Sequence, residues 1–270
     1  MTTPADLPSL LRTDKLDEAI ELMNAQVKSN PMAIDRRAQL AELLCVAGNL
    51  ERADTVLNAI TDIDPGAMVG VALFRQLVRA EQARQQFHAE GRLPEFVVKP
   101  DALLELELRA AIAARTGALE ELAALVAERE AGRVPLAGET DGEPFDDFRD
   151  LDDLAAAHIE VFTSTGKYFW IPTSRIEAIE LRKPESQRDL LWRRAQLSVD
   201  DGPDGEVFLP CIYAAKNMSI AERLGHETEF VDAANRVALG RGLRTFLVGD
   251  TSKTIRELGR INFAGQTGRA

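Results

Sequence analysis

Few of the side chains that perform catalysis occur in this sequence at a spacing that would bring them together. The three histidines, His88, His158 and His226, lack the i,i+4 pairing of a helical metal site. Each is expected to be an ordinary surface histidine or a hydrogen-bonded core histidine. Cys45 and Cys211 lie among apolar neighbours, which favours two buried thiols over a disulfide or a metal pair.

Glycine-rich and acidic stretches give no stronger indication of a site. Residues 249–253 lack the Gly-x-x-x-x-Gly-Lys-Ser/Thr pattern of a phosphate loop, so a turn is predicted. The aspartates between Asp146 and Asp153 lack the spacing and glycine of a calcium loop, which favours a solvated linker edge. The sequence also has no Gly-x-Ser-x-Gly elbow. No catalytic residue, metal site or cofactor is therefore predicted.

The aromatic residues are more informative. Tyr168, Phe169, Trp170 and Trp192 lie close together in a chain with only two Trp and two Tyr. Because side chains alternate along a strand, Tyr168 and Trp170 share one face, and Phe169 and Ile171 share the other. One face must belong to a core. The other is either covered by the helical domain or exposed for a partner, and packing between domains is favoured.

The elements that position these residues begin with an internal repeat. Leu16-Asp17-Glu18-Ala19 reappears thirty-four residues later as Leu50-Glu51-Arg52-Ala53, and Pro31 is matched by Pro65. This period, with a small alanine inside a helix and a proline closing the unit, is typical of tetratricopeptide (TPR) repeats. The alanines allow close helix contact, and the prolines stop each helix. The alternative is a generic pair of helical hairpins.

Helical periodicity continues through the first half of the chain. Residues 93–98 look extended, because Pro94 and two consecutive valines disfavour a helix. Residues 1–136 are therefore predicted to form a TPR-like helical repeat domain. Its helices are expected at 8–12, 16–28, 35–46, 51–61, 67–89, 102–115 and 118–131.

The composition changes at Ala137, after which glycine and proline punctuate short apolar runs. This spacing is typical of β-proteins. Residues 138–270 are predicted to be a β-rich C-terminal domain with a frayed tail at 264–270. The fold class is therefore α+β. Strands are expected at 157–163, 168–171, 176–181, 194–199, 206–213 and 245–248, with a last short element at 258–263.

Charge and hydropathy limit the partners. The formal net charge of −12 argues against duplex nucleic acid and anionic membrane surfaces. No apolar run reaches membrane-spanning length, and the first residues lack the basic and apolar regions of an export signal. A cytoplasmic location without membrane insertion is expected.

Three segments of the second half carry a family resemblance. They read Asp-Gly-Glu-Pro-Phe at 141–145, Gly-Lys-Tyr-Phe-Trp-Ile-Pro at 166–172 with Arg175-Ile176, and Arg-Asp-Leu-Leu-Trp-Arg at 188–193. Together with 16–19 and 43–48 in the helical half, they resemble the ImpE family, also called TagJ or SciE-type. That family is an accessory component of bacterial type VI secretion. The segments 200–205 and 216–240 depart from the family pattern.

The resemblance implies a non-enzymatic adaptor. Members of the family are similar in binding an N-terminal helix of the small sheath subunit. They are linked to the AAA+ ATPase that recycles contracted sheath. The repeat pattern supports the same type of function, because the concave face of a helical repeat is suited to holding a helix or an extended peptide.

The repeat register predicts where such a partner would bind. The first helix of each repeat lines the concave face, so the inward residues of two such helices form a strip of small, acidic, amide and basic side chains. The alternative is that the β-rich domain or residues 91–98 cover this strip. The predicted partner-binding residues are Asp35, Ala38, Glu42, Val69, Ala72, Gln76 and Arg79.

Two other functions remain open on the sequence. The β-rich domain could contain an undetected hydrolase or nucleotide-binding site, which a pocket with converging carboxylates or a perturbed histidine would favour. The protein could also be a TPR-type chaperone adaptor outside secretion.

Overall fold

The computed structural model describes residues 6–234 and 236–264. Its first half is helical, and each predicted helix is confirmed to within about two residues, the usual uncertainty of helix ends. A short 3₁₀ turn, Pro65–Ala67, precedes the longest helix. The helices are α1 (Leu7–Arg12), α2 (Leu16–Ser29), α3 (Ile34–Val46), α4 (Leu50–Ile63), α5 (Met68–Glu90), α6 (Ala102–Thr116) and α7 (Leu119–Gly132).

The thirty-four-residue period is present in the structure. Helices α2 and α4 both contain 14 residues and begin at the matched residues Leu16 and Leu50. Ala19 and Ala53 are completely buried, as expected for positions where two helices meet closely. The chain leaves both helices in a similar extended conformation before the matched prolines. The repeat is therefore a structural unit and not only a sequence pattern.

Local sequence signals define the ends of the other helices. The Asp101 side chain accepts a hydrogen bond from the Leu104 N–H and so caps the start of α6. Gly91 and Gly117 follow α5 and α6 with φ angles of 85° and 75°, in the left-handed region that glycine adopts without strain.

The second half consists mainly of strands joined by turns, which confirms the α+β class. Two short helices, α8 (Gln187–Leu191) and α9 (Ile220–Leu224), interrupt them. The strands are β1 (Gly138–Thr140), β2 (Glu143–Phe145), β3 (Phe148–Asp150), β4 (His158–Phe162), β5 (Tyr168–Pro172), β6 (Ile176–Leu181), β7 (Trp192–Val199), β8 (Gly205–Pro210), β9 (Thr228–Asp232), β10 (Ala238–Gly242), β11 (Thr245–Val248), β12 (Thr251–Thr254) and β13 (Arg260–Phe263).

These strands form an eight-stranded sheet in the order β2-β1-β13-β6-β7-β8-β4-β5, a three-stranded sheet β12-β11-β3 and a two-stranded sheet β10-β9. The predicted hairpins β4–β5 and β7–β8 are confirmed, with Glu160 opposite Trp170 in the first. Glu95, in the segment predicted to be extended, exchanges main-chain hydrogen bonds with β5. The predicted frayed tail lies outside the described residues from position 265 onward.

The two faces of the large sheet pack against different partners. Ile159 and Val161 face a core shared with the three-stranded sheet. Phe162, Tyr168 and Trp170 point to the opposite side and join the core of the helices. The Trp170 ring lies edge-on to Phe87 of α5, with ring centres 4.8 Å apart. The expectation that the aromatic face packs against the helical half is thus confirmed. The division at residues 136–138 into two domains stays a prediction.

The β9–β10 hairpin makes a third contact between the halves. Val237, just before β10, and Leu239, within it, pack with Leu122 and Leu125 of α7. The hairpin therefore crosses from the sheet to the last helical pair. Sequence patterns did not predict this hairpin, nor strands β1–β3 and β12.

Candidate functional site

The predicted partner residues lie on two helices, α3 and α5. Their spacing of three and four residues places them along one stripe of each helix. Asp35, Val69, Ala72 and Arg79 are exposed, and Val69 is the most exposed large apolar side chain among the described residues, at 83%. Ala38, Glu42 and Gln76 are half-buried. We refer to these seven residues as the partner strip.

The second half of the chain covers part of the partner strip. Helix α8 packs on α3, and its Arg188 and Asp189 lie near the carboxyl group of Glu42. Burial raises the pKa of Glu42 to about 7. Gln76 contacts the turn at Gly166, where a side chain on the glycine would collide with it. The β-rich half of the chain therefore covers the middle of the partner strip, as the alternative expectation stated. The exposed residues of the strip remain accessible.

Exposed apolar side chains extend the accessible end of the strip. Met32 follows α2, and Met68 and Val69 begin α5, all largely exposed. The turns that carry them close successive antiparallel helix pairs, so they lie at the same end of the helical stack. Asp35, in the first turn of α3, lies at this same end, whereas Arg79 is ten residues along α5 from Val69, about 15 Å away at the rise of an α-helix.

A cavity of about 880 Å³ lies between the helices and the sheet, and we refer to it as the interface cavity. Helix α5 contributes Glu81, Arg84 and His88 to its wall. The sheet contributes Glu160 and Trp170. Its volume is within the range of small-molecule sites in proteins.

A buried ion pair joins the two walls of the interface cavity. Arg84 Nε and Nη2 donate to the two carboxylate oxygens of Glu160 at 2.8 and 2.9 Å. Arg244 Nη1 lies 3.1 Å from the same carboxylate, and the Tyr168 hydroxyl donates to it at 2.5 Å. Burial by itself would raise the pKa of Glu160, but Arg84 and Arg244 outweigh it and hold that pKa well below its usual range.

Arg244 extends this network to a second carboxylate. Its Nε donates to Asp150 Oδ2 at 2.6 Å, and the Tyr213 hydroxyl donates to Asp150 Oδ1 at 2.8 Å. Two main-chain N–H groups, of Leu154 and Gly240, donate to Asp152 at 2.7 and 2.9 Å. Burial, followed by the charge of Asp150, raises the pKa of Asp152 to about 7.

The expectation that the aspartate run is a solvated linker edge is therefore wrong for its second half. Asp150, Asp152 and Asp153 are enclosed by protein, and Asp153 lies 3.4 Å from the buried Arg129. Fixed N–H groups and guanidinium groups replace water around these carboxylates, which makes their burial tolerable.

The three histidines have separate environments. His158 is buried, with Nδ1 2.5 Å from a Glu107 carboxylate oxygen, and its ring stacks on Trp170 at 3.7 Å. His226 is exposed and contacts Asp14 at 2.7 Å. Both environments match the sequence expectation. His88 differs, because the nearest carboxylate oxygen to its Nε2, Glu160 Oε1, is 3.7 Å away, beyond hydrogen-bond distance, and burial lowers the pKa of His88.

The interface cavity thus has two features that the sequence analysis associated with an enzyme, converging carboxylates and a perturbed histidine. Glu160 and Asp150 are held in ion pairs with arginines, and Asp152 is held by main-chain N–H groups. Burial raises the pKa of both cysteine thiols, Cys211 to about 11. Over residues 6–234 and 236–264, no three metal-ligating side chains form a cluster that could hold an ion.

Sequence reasoning missed the network because its members lie far apart in the chain. The available signal was a single charged residue at an otherwise apolar position. Arg84 occupies the inward face of α5 with Leu77, Ala80 and Phe87, and Glu160 interrupts the apolar residues of β4.

Comparisons with known proteins agree with this architecture. Residues 142–262 match the protein family described as ImpE protein. The chain is 28% identical over 257 residues to the type VI secretion system accessory component TagJ of Pseudomonas aeruginosa, covering 94% of this chain and 89% of that protein. It also resembles the crystal structure of protein VPA1032 from Vibrio parahaemolyticus, with a TM-score of 0.91 and 28% identity over 97% of this chain and 99% of that one. Across the described part of the chain, no helix is long and apolar enough to cross a membrane.

Proposed function

Because this chain belongs to the ImpE family, we propose that it is a non-enzymatic adaptor of a bacterial type VI secretion system. The similarity to an accessory component, along nearly the whole length of both proteins, supports this assignment. The proposed place of action is the cytoplasm.

The proposed partner is an N-terminal helix of the small sheath subunit, held at the exposed part of the partner strip. The observation that carries this proposal is the set of exposed apolar side chains Met32, Met68 and Val69 at one end of the helical stack, with Asp35 at that end and Arg79 ten residues along α5 from Val69. An amphipathic helix would place its apolar face on this surface, and the two opposite charges would fix its direction.

The covered residues refine the proposed contact. Glu42 packs near α8 and Gln76 packs against Gly166, so neither is assigned a direct contact with the partner. Ala38 and Ala72 provide small side chains that allow a helix to approach closely. Direct contact is therefore assigned to Asp35, Val69, Ala72 and Arg79.

The experiment is a titration of the full-length protein with a labelled peptide of the small sheath subunit's N-terminal helix. Val69→Asp places a charge in the apolar surface and should weaken binding by about tenfold or more. Val134→Asp is the matched control, because Val134 is also exposed and apolar but lies outside the strip. Equal affinity of both variants and the wild type would show that the helix binds elsewhere.

The charge of the strip needs a separate variant. Arg79→Glu should slow association with a sheath helix that carries acidic residues and should leave the melting temperature unchanged, since Arg79 is exposed. Lys28→Glu, at an exposed position of α2 outside the strip, is the control.

The link to the AAA+ ATPase is the second part of the proposal. The adaptor and the ATPase are expected to be recovered together when the sheath helix is present. A pulldown with the purified ATPase, with and without the sheath peptide, distinguishes direct contact from bridging by the sheath subunit.

A hydrolase or nucleotide-binding enzyme is the second candidate, and one observation favours it. His88, with an unpartnered Nε2, and Asp152, with a pKa near neutrality, both line the interface cavity. Incubation of the purified protein with ATP and with activated esters tests this candidate. Turnover that His88→Ala abolishes would favour the enzyme over the adaptor.

A further inference from the structure

The interface cavity has the opposite charge balance to the protein as a whole. The chain contains 32 Lys and Arg against 44 Asp and Glu. Among the described residues that line the cavity, the acidic ones are Glu81, Asp152 and Glu160. The cationic ones are twice as many: Arg84, Arg115, Lys216, Arg223, Arg241 and Arg244.

Half of these cations have a carboxylate partner. Arg84 pairs with Glu160, Arg244 with Asp150, and Arg241 with Glu222 at 2.7 Å. In the part of the chain that the structure describes, Arg115, Lys216 and Arg223 have no carboxylate within 4.0 Å.

The uncompensated cations still have donor groups to offer a ligand. Arg115 Nη1 donates to the Phe87 carbonyl at 3.3 Å, and Arg223 Nη1 donates to the Ala47 carbonyl at 3.4 Å. These carbonyls lie at the C-terminal ends of α3 and α5 and carry only partial negative charge, so they orient the guanidinium groups and offset their charge only in part. Lys216 is exposed and forms no side-chain hydrogen bond with another described residue.

The acidic groups of the wall do little to offset this charge. Burial raises the pKa of Glu81, and burial together with Asp150 raises that of Asp152 to about 7. Near neutral pH Asp152 therefore carries less negative charge than an exposed carboxylate would. Glu160 is already neutralised by Arg84. The cavity therefore attracts anions.

The wall of the interface cavity suits a carboxylate better than a phosphate. The Ala47–Gly48 turn that ends α3 and Ala89 near the end of α5 form part of the lining. Helix C-termini carry partial negative charge, whereas phosphate groups bind at helix N-termini. A singly charged carboxylate, which matches the guanidinium fork, suits this wall better than a phosphate dianion.

The remaining wall is apolar and aromatic. Trp170, Trp192, Leu191 and Ile212 line the cavity beside the charged groups. We propose that the interface cavity binds a carboxylate ligand that also carries apolar groups, presented either by an acidic segment of a protein partner or by a free dicarboxylate. This site shares no residue with the partner strip, so it goes beyond the proposed adaptor function and does not depend on it.

The two tryptophans of the chain both line this cavity, so intrinsic fluorescence reports on the site directly. The full-length protein is titrated with a blocked peptide of alternating leucine and glutamate, its leucine–glutamine counterpart, glutarate and inorganic phosphate. The same titrations use Lys216→Glu and Arg223→Gln. Lys28→Glu, exposed on α2 and outside the cavity lining, is the matched control.

The expected result is saturable binding of the glutamate peptide or glutarate, with the glutamine peptide weaker by about tenfold or more. Lys216→Glu should weaken binding by about tenfold, and Lys28→Glu should not. The tighter of the glutamate peptide and glutarate identifies the source of the carboxylate.

Several outcomes would overturn the proposal. These are equal affinity for the glutamate and glutamine peptides, tighter binding of phosphate than of either carboxylate, and no saturable change with any probe up to millimolar concentration. Unchanged affinity in Lys216→Glu would overturn it as well. Lys216 is exposed, so this variant tests the site without removing a contact that Arg223 makes with α3.

Discussion

Arg84 of helix α5 and Glu160 of strand β4 form a buried ion pair with two parallel hydrogen bonds, 2.8 and 2.9 Å long. The two residues are 76 positions apart in the chain, one in the helical half and the other in the sheet. Arg84 Nη2 also donates to the Ile212 carbonyl at 3.1 Å, which ties the same guanidinium to the loop after β8. The pair therefore fixes the position of the sheet relative to α5.

Removing one member of this pair should be costly. Glu160→Gln leaves Arg84 and Arg244 buried without that carboxylate charge, and it should lower the free energy of unfolding by about 3–5 kcal/mol. Chemical denaturation measures the change. Adding Arg84→Met should recover part of the loss, because the second substitution removes one uncompensated charge. A change below about 0.5 kcal/mol, typical of surface substitutions, would contradict the role assigned to the pair.

The repeat contact is tested by Ala53→Trp. Ala53 is completely buried at the position equivalent to Ala19, so a large side chain cannot enter without moving the helices apart. Overpacking of this kind costs about 1–3 kcal/mol or more. Ala25→Trp, at an exposed position of α2, should leave the melting temperature unchanged and serves as the control. Equal melting temperatures for the two variants would count against the close helix contact.

Glu42 predicts a dependence of stability on pH. Burial raises its pKa from the usual 4.5 to about 7, so the folded state holds the proton more tightly than the unfolded state. This contribution to stability is complete below pH 4.5 and is lost as pH rises through 7. Glu42→Gln stays neutral, and it should therefore be more stable than the wild type at pH 8, by about 2–3 kcal/mol.

Unfolding midpoints of Glu42→Gln and the wild type measured from pH 4 to 8 check this prediction. The difference between the two proteins should shrink as the pH falls. Glu21→Gln, an exposed substitution on α2, should follow the wild-type profile throughout. A constant difference at every pH would mean that the substitution acts through packing against α8 and not through titration.

We propose that residues 1–136 and 138–270 are separate structural units that meet across the shared aromatic core. A protease site inserted between the exposed residues Val134 and Pro135 tests this division. After cleavage the two pieces should remain associated and elute together, because Trp170 and Phe87 stay packed. Adding Glu160→Gln should make them separate at a lower denaturant concentration. Loss of both folds on cleavage would contradict the division.

The helical half could be predicted closely from the sequence because its signals are local. The spacing of apolar residues and the capping residues Asp101 and Gly91 are all read within a few positions. Strands β1–β3, β9–β10 and β12 were missed because they are short and lack a regular apolar pattern. All five residues of β9 are exposed, so that strand shows no alternation of buried and exposed residues.

The candidate sites were predictable to different degrees. The stripe on α3 and α5 follows from helix geometry, but its partial cover by α8 depends on a contact between distant segments. The pairing of Arg244 with Asp150 likewise depends on the β3–β11 pairing, which places two distant segments side by side. Periodicity within one segment carries no information about such pairs. A lone charge at a core position, as at Arg84, was the signal that remained.

The packing of α5 against the sheet also determines where the stack of helices α1–α5 ends, ahead of the pair α6–α7. A stack of helical repeats exposes the core face of its last member unless another element caps it. Here Trp170 covers Phe87 and Trp192 covers Phe74, so the sheet takes the place that a further repeat would occupy. Extra repeats inserted after α5 would separate these aromatic rings. Related proteins that differ in repeat number should therefore have gained or lost repeats on the N-terminal side of α5.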